Sequence, residues 1–169
     1  MFTATENAYS QPHTAAQTSS EVATESHVIL AAAREAAQQI GLHYAGNISP
    51  QDAWLLFSRR VAQLIDVRTA EELKFIGYVP ETLHVAWLSG GMLKNPHFLR
   101  ELEAKANKED VILFLCRSGK RSVAAAEAAT KVGFQNVFNV LEGFEGDLED
   151  SKRGISSGWR SCGLPCVLG

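Results

Sequence analysis

Five consecutive apolar residues, Val111-Ile112-Leu113-Phe114-Leu115, run straight into the polar loop Cys116-Arg117-Ser118-Gly119-Lys120-Arg121-Ser122. A run this short, bounded by Glu109-Asp110 on one side and the loop on the other, predicts a strand buried on both faces of a parallel sheet. The segment from Val123 to Val132 is rich in alanine, the best helix former, and Gly133 is set to stop it in a left-handed cap. The loop therefore stands at the carboxyl end of a buried strand and at the head of a helix. Open α/β sheets place ligand sites there, and the helix N–H groups favour an anion.

Cys116 is the chemically interesting member of that loop. A thiolate is an anion, and Arg117, Lys120 and Arg121 surround it with positive charge, so Cys116 reads as a nucleophile. A free cysteine more often serves as a small hydrophobe ending a core strand. Three cations and a glycine within the next five residues argue for a surface loop instead. Loop length then separates two chemistries. A cysteine loop of the tyrosine-phosphatase kind puts its arginine six positions after the cysteine; that position is Ser122 here, and the arginine falls one residue early, at Arg121.

Cys116-Arg117-Ser118-Gly119-Lys120-Arg121 resembles the six-residue active-site loop of the rhodaneses, the thiosulfate sulfurtransferases. Their pattern, Cys-Arg-x-Gly-x-Arg/Thr, is matched at every fixed position. The resemblance extends from about residue 47 to 165. Asp66-Val67-Arg68 matches an Asp-x-Arg signature, and Gly77-Tyr78-Val79-Pro80 stands where a Gly-His-Ile-Pro-like turn is usual, with Tyr78 in place of the histidine. Gly143 holds one glycine of a later turn, and the segment Gly158-Trp159 to Gly163-Leu164-Pro165 resembles the ending of many single-domain bacterial rhodaneses.

The resemblance implies an α/β, rhodanese-like fold: a central, mainly parallel sheet with helices on both faces. It implies a transferase in which Cys116 takes a sulfane sulfur from thiosulfate or a similar donor as a persulfide. Cyanide, a thiol or a protein acceptor then removes it. Arg117, Ser118, Gly119, Lys120, Arg121 and Ser122 form the substrate-binding loop, with Ser122 equally readable as a helix cap. Asp66 and Arg68 are structural support, bracing strand ends by charge-assisted hydrogen bonds. Neither a metal nor an organic cofactor is called for. Two readings from other classes stand beside this one: a persulfide-carrying relay or binding module that serves a partner protein, and an arsenate reductase or phosphatase relative on the same fold.

The remainder of the chain fits one domain with a tail. Ile29, Ala32, Ala33, Ala36, Ala37 and Ile40 recur at three-and-four spacing, predicting a helix from an N-cap at Ser26 to a stop at Gly41. Ser49-Pro50 reads as the start of a helix bearing Trp54, Phe57 and Val61, and Thr69 to Glu72 as a capping box. Strands are expected over 61–67, 83–87 and 137–141, and a further helix after Asn95-Pro96. Residues 1–25 hold no lysine or arginine and read as a disordered tail, 26–46 as a helical extension and 47–169 as the rhodanese-like domain. A formal charge of -3 gives no basic excess for nucleic acid or an anionic membrane surface. No apolar run is long enough to span a bilayer. Three cysteines, an odd number, suit a reducing compartment, and the expected location is cytoplasmic. Cys162 and Cys166 read as incidental small residues, with resolution of a Cys116 persulfide as the sharper alternative.

Overall fold

The computed structural model describes residues 19–169. The helices are α1 (Ser19–Gln39), α2 (Pro50–Ser58), α3 (Ala70–Ile76), α4 (Phe98–Glu103), α5 (Lys120–Lys131), α6 (Leu148–Lys152) and α7 (Gly158–Ser161). The strands are β1 (Gly46–Ile48), β2 (Gln63–Asp66), β3 (Leu83–His84), β4 (Leu88–Ser89), β5 (Leu93–Lys94), β6 (Val111–Leu115) and β7 (Asn136–Val140). Five of them form one sheet in the order β1-β7-β6-β2-β3, with every neighbouring pair parallel. The other two, β4 and β5, make a short antiparallel ribbon.

Central β6 behaves as its apolar run requires. Ile112 and Phe114 face one core cluster, with Phe98 and Leu102 of α4 and Ala125, Ala126 and Ala129 of α5. Leu113 and Leu115 face the other, with Ala53, Leu56 and Phe57 of α2 and Trp159 of α7. All four strand residues are fully buried. Period-two alternation thus feeds two cores, and helices cover both faces of the sheet.

Local signals set the element boundaries. Ser49 caps α2, its side chain accepting the Asp52 N–H, with Pro50 in the first turn. Thr69 and Glu72 form a reciprocal capping box on α3. The N-terminal helix begins seven residues before the expected cap. Ser26 is buried inside α1 rather than capping it, because the Ser19–Glu25 segment continues the helix, with Glu21 in its first turn. Part of the expected tail is therefore helical, and residues 1–18 lie outside the described residues. α1 lays Ile29, Leu30 and Ala33 against the second cluster. Arg34 reaches from it to the Asn136 side chain and over the Phe138 ring, and Arg59 pairs with Glu25. The strand near 83–87 is short: only Leu83 and His84 qualify, although the Val85 and Trp87 N–H groups still donate to the carbonyls of Asp66 and Val67. Among the described residues no helix is long and apolar enough to cross a membrane.

Candidate active site

The site begins where β6 ends. α5 starts at Lys120, three residues ahead of the alanine-rich run, and its N-cap is Gly119 in the left-handed region at φ 94°. Glycine adopts that conformation at little cost, and here it turns the Gly119 N–H back onto the Cys116 sulfur at 3.1 Å. Ser122 consequently falls in the first turn of α5 and does not cap it. Its Oγ points inward, 3.1 Å from Cys116 Sγ and 3.1 Å from the Gly119 carbonyl. Cys116 is 1% exposed, so its sulfur meets the helix N-terminus with little water around it.

A second turn supports the loop from beneath. The Phe144 and Glu145 N–H groups donate to the carbonyls of Cys116 and Arg117. Gly143, at φ 63°, lies so close that an added Cβ would sit 2.5 Å from the Cys116 carbonyl oxygen and from the Arg117 carbonyl carbon. α7 holds this turn in place: the Trp159 and Arg160 N–H groups donate to the carbonyls of Gly143 and Phe144, and the Gly158 N–H to Glu142 Oε2. Trp159 is fully buried and donates its indole N–H to the Pro165 carbonyl.

The three cations are placed differently from one another. Arg121 makes two hydrogen bonds to Glu72, at 2.6 and 2.7 Å, and so ties α5 to α3. Burial alone would push the Glu72 carboxyl up. The Arg121 and Thr69 hydrogen bonds and the nearby guanidinium charges outweigh it and hold the group at about 2. Arg117 pairs with Glu145 at 2.9 Å on the surface. Lys120 is exposed and forms no ion pair among the described residues. It lines an open hollow of about 430 Å³ together with Ser118, Gly119, Asn139, Leu141 and Glu142.

Asp66 and Arg68 are paired with each other. Both are fully buried and share a fork of hydrogen bonds, with Arg68 Nη2 also donating to the Gly77 carbonyl. The guanidinium lies 4.1 Å from the centre of the Phe144 ring. The pair joins the end of β2 to the turn after α3 and to the turn beneath the loop. Cys162 and Cys166 are free, partly exposed thiols, and Gln51 Nε2 donates to Cys162 Sγ at 3.2 Å. Burial, with Glu142 assisting, pushes the Cys162 thiol up. Among the described residues no group of three or more His, Cys, Asp and Glu is arranged to hold a metal ion.

Sequence reasoning missed the polar residues behind the sulfur. Ser122 Oγ lies 2.6 Å from Asn139 Oδ1, Asn139 Nδ2 donates to Asn47 Oδ1 at 3.0 Å, and the Tyr44 hydroxyl donates to the same oxygen at 2.8 Å. Asn139 on β7 and Asn47 on β1 are register partners in adjacent strands. A signal was present: asparagine is depleted in strands, yet it interrupts Val137-Phe138-Asn139-Val140.

Comparison with known proteins agrees with this architecture. A protein of Rickettsia conorii described as uncharacterised is 36% identical over 124 residues, 70% of this chain and 94% of its own. Thiosulfate sulfurtransferase 16 of Arabidopsis thaliana, a chloroplastic protein, is 31% identical over 104 residues, 60% of this chain and 76% of its own. The crystal structure of Rv0390 from M. tuberculosis shares 40% identity at a TM-score of 0.65, covering 75% of this chain and 99% of that one. Residues 49–150 match the rhodanese-like domain, a span that contains β2, β6, the Cys116 loop and β7. With more than half its length matched and the parallel sheet in place, the chain belongs to the rhodanese-like family.

Proposed function

We propose that the protein is a sulfurtransferase in which Cys116 carries the transferred sulfur as a persulfide. The observation that carries this reading is the position of Cys116 Sγ, buried at the head of the twelve-residue α5 and accepting the Gly119 N–H at 3.1 Å. The Gly119 N–H beside that sulfur is placed to donate to a sulfur anion formed there. In the first half-reaction Sγ attacks the outer sulfur of thiosulfate. A Cys116 S–S bond forms, the S–S bond of thiosulfate breaks, and sulfite leaves with the electron pair. In the second, cyanide or a thiolate attacks the outer sulfur of the persulfide and releases the Cys116 thiolate.

The side chains around the sulfur divide this work. Exposed Lys120, beside the open hollow, attracts the anionic donor. Arg121, engaged by Glu72, adds positive charge near the sulfur and holds the head of α5, while Arg117 frames the rim with Glu145. Ser118 and Gly119 line the approach, and the Ser122 hydroxyl contacts the sulfur from within. Asp66 and Arg68 brace the loop's supports.

Steady-state assay with thiosulfate and cyanide tests the reading. The expected result is thiocyanate formation with ping-pong kinetics, lost in Cys116→Ser. Hydrolysis of aryl phosphates faster than desulfuration of thiosulfate would instead assign the loop to oxyanion hydrolysis. Loading from a persulfide donor but not from thiosulfate would assign it to sulfur relay between proteins.

A further inference from the structure

Behind Cys116 runs a continuous line of polar groups: Ser122 Oγ, the Asn139 amide, the Asn47 amide and the Tyr44 hydroxyl. Ser122, Asn139 and Tyr44 are all buried, at 0%, 3% and 7% exposure. Buried polar groups are costly unless satisfied, so the protons along this line have to be shared out consistently. The bottleneck is Ser122. Its hydroxyl owns one proton and faces three atoms that can accept it: Cys116 Sγ, the Gly119 carbonyl and Asn139 Oδ1, the last at only 2.6 Å.

The arrangement closes for a neutral thiol. Cys116 S–H donates to Ser122, Ser122 to Asn139 Oδ1, and Asn139 Nδ2 to Asn47 Oδ1, which also accepts from Tyr44. It does not close for an anion. A sulfur that has lost its proton keeps the Gly119 N–H but gains a second donor only by taking the Ser122 proton, and Ser122 Oγ would then face Asn139 Oδ1 with no hydrogen between them. A half turn of the Asn139 amide resolves the conflict within the same volume: Nδ2 donates to Ser122 Oγ, which is freed to donate to the sulfur. Asn47 turns likewise, giving its two amide protons to Asn139 Oδ1 and the Tyr44 oxygen. Atoms and charge balance, since the only proton that leaves is the one on the thiol.

We propose that Asn139 is a positioning residue for the sulfur chemistry: through Ser122, its amide orientation decides whether the buried hydroxyl donates to the Cys116 sulfur. The inference rests on the reading of Cys116 as the sulfur carrier and adds to it a residue outside the loop. The other charged groups near the sulfur and this line are Arg121 with Glu72, the Asp66–Arg68 pair, Lys120, Glu142 and Asp147 at the hollow, and Glu127 beside Tyr44. Arg117 and Glu145 frame the rim. Replacing Asn139 removes none of them.

Two substitutions that keep the branching of the side chain separate the roles. Asn139→Leu removes the amide, and Asn139→Asp supplies an acceptor that keeps the Ser122 proton for itself. Thiolate absorbance near 240 nm, taken against Cys116→Ser across pH, reads the sulfur's charge whether or not sulfur transfer occurs. Intact-mass loading from thiosulfate reads the chemistry. The pH of half-ionisation is expected to rise by about one unit or more in Asn139→Asp, with loading at pH 7 slowed about tenfold or more, and to rise less in Asn139→Leu, which withdraws the donor to Ser122 but leaves no acceptor to hold its proton from the sulfur. Because Asn139 acts through Ser122, adding Asn139→Leu to Ser122→Ala should move the midpoint no further than Ser122→Ala alone. An unchanged midpoint in both single variants, or additive shifts in the double variant, would overturn the inference. Wild type that ionises as expected yet never loads would instead refute the sulfur-carrier reading and leave the Asn139 result standing. Should the Leu variant fail to fold, Asn139→Asp measured with and without Ser122→Ala still discriminates, because a direct effect of the added charge would survive loss of the hydroxyl.

Discussion

Cys116 draws on a backbone N–H, a hydroxyl and a helix end, whereas two of the three cations beside it answer first to carboxylates. Arg121 belongs to Glu72 and Arg117 to Glu145, which leaves Lys120, on the hollow's edge, as the loop cation with no ion pair among the described residues. An unpaired surface charge acts at a distance on an anionic donor and is screened by salt. Lys120→Ala is therefore expected to raise KM for thiosulfate about threefold to tenfold at low salt with kcat little changed, and the gap should narrow as ionic strength rises. A fall in kcat at unchanged KM would show that Lys120 acts on the leaving group instead. The loop's turn and charge were legible in its residues because cysteine, glycine and arginine stand there at fixed spacing. The commitment of each cation was not, since Glu72 lies 49 positions from Arg121 and nothing local pairs them.

At the scale of elements, the loop is as much a product of the turn after β7 as of its own sequence. Gly143 has room for neither a Cβ nor a change of φ, because the Cys116 and Arg117 backbone presses against it. Gly143→Ala is expected to cost at least about 2 kcal/mol in denaturant unfolding and to slow sulfur loading together with it. Full stability in that variant would contradict the tight approach. Elements with chemical punctuation were readable: the Ser49-Pro50 start of α2, the Thr69–Glu72 box of α3 and the buried run of β6. β1 escaped because three residues, Gly46-Asn47-Ile48, show no period, and its pairing with β7 is a tertiary fact. The β4–β5 ribbon is two residues per strand and escaped for the same reason. α1 was found, but its start was misplaced because a serine followed by helix formers reads as a cap even when the helix has already begun.

Across the whole molecule, apolar burial secures the sheet and most of its helices, while α3 has no fully buried residue and adds polar ties to the packing of Ile76. Its ties are Glu72 to Arg121 and, at its C-terminal end, the Gly77 carbonyl to Arg68. A carboxyl held down at about 2 contributes stability that is fully present above its ordinary range. That contribution fades as pH falls from about 4.5 through about 2. Glu72→Gln should accordingly be less stable than wild type at pH 7, with the difference shrinking across that window; a difference independent of pH would rule out the charge as its cause. The strand order β1-β7-β6-β2-β3 was beyond the sequence, since local patterns say that strands exist and not which ones touch.

The proposed function depends on sulfur residing on Cys116, and intact mass addresses that directly. Reduced protein incubated with thiosulfate should gain about 32 Da, one sulfur atom, as expected for covalent catalysis by a cysteine nucleophile. Dithiothreitol should remove the added mass, and Cys116→Ser should never acquire it. A wild type that gains nothing from thiosulfate or from a persulfide donor, or a Cys116→Ser variant that gains as much, would contradict the account.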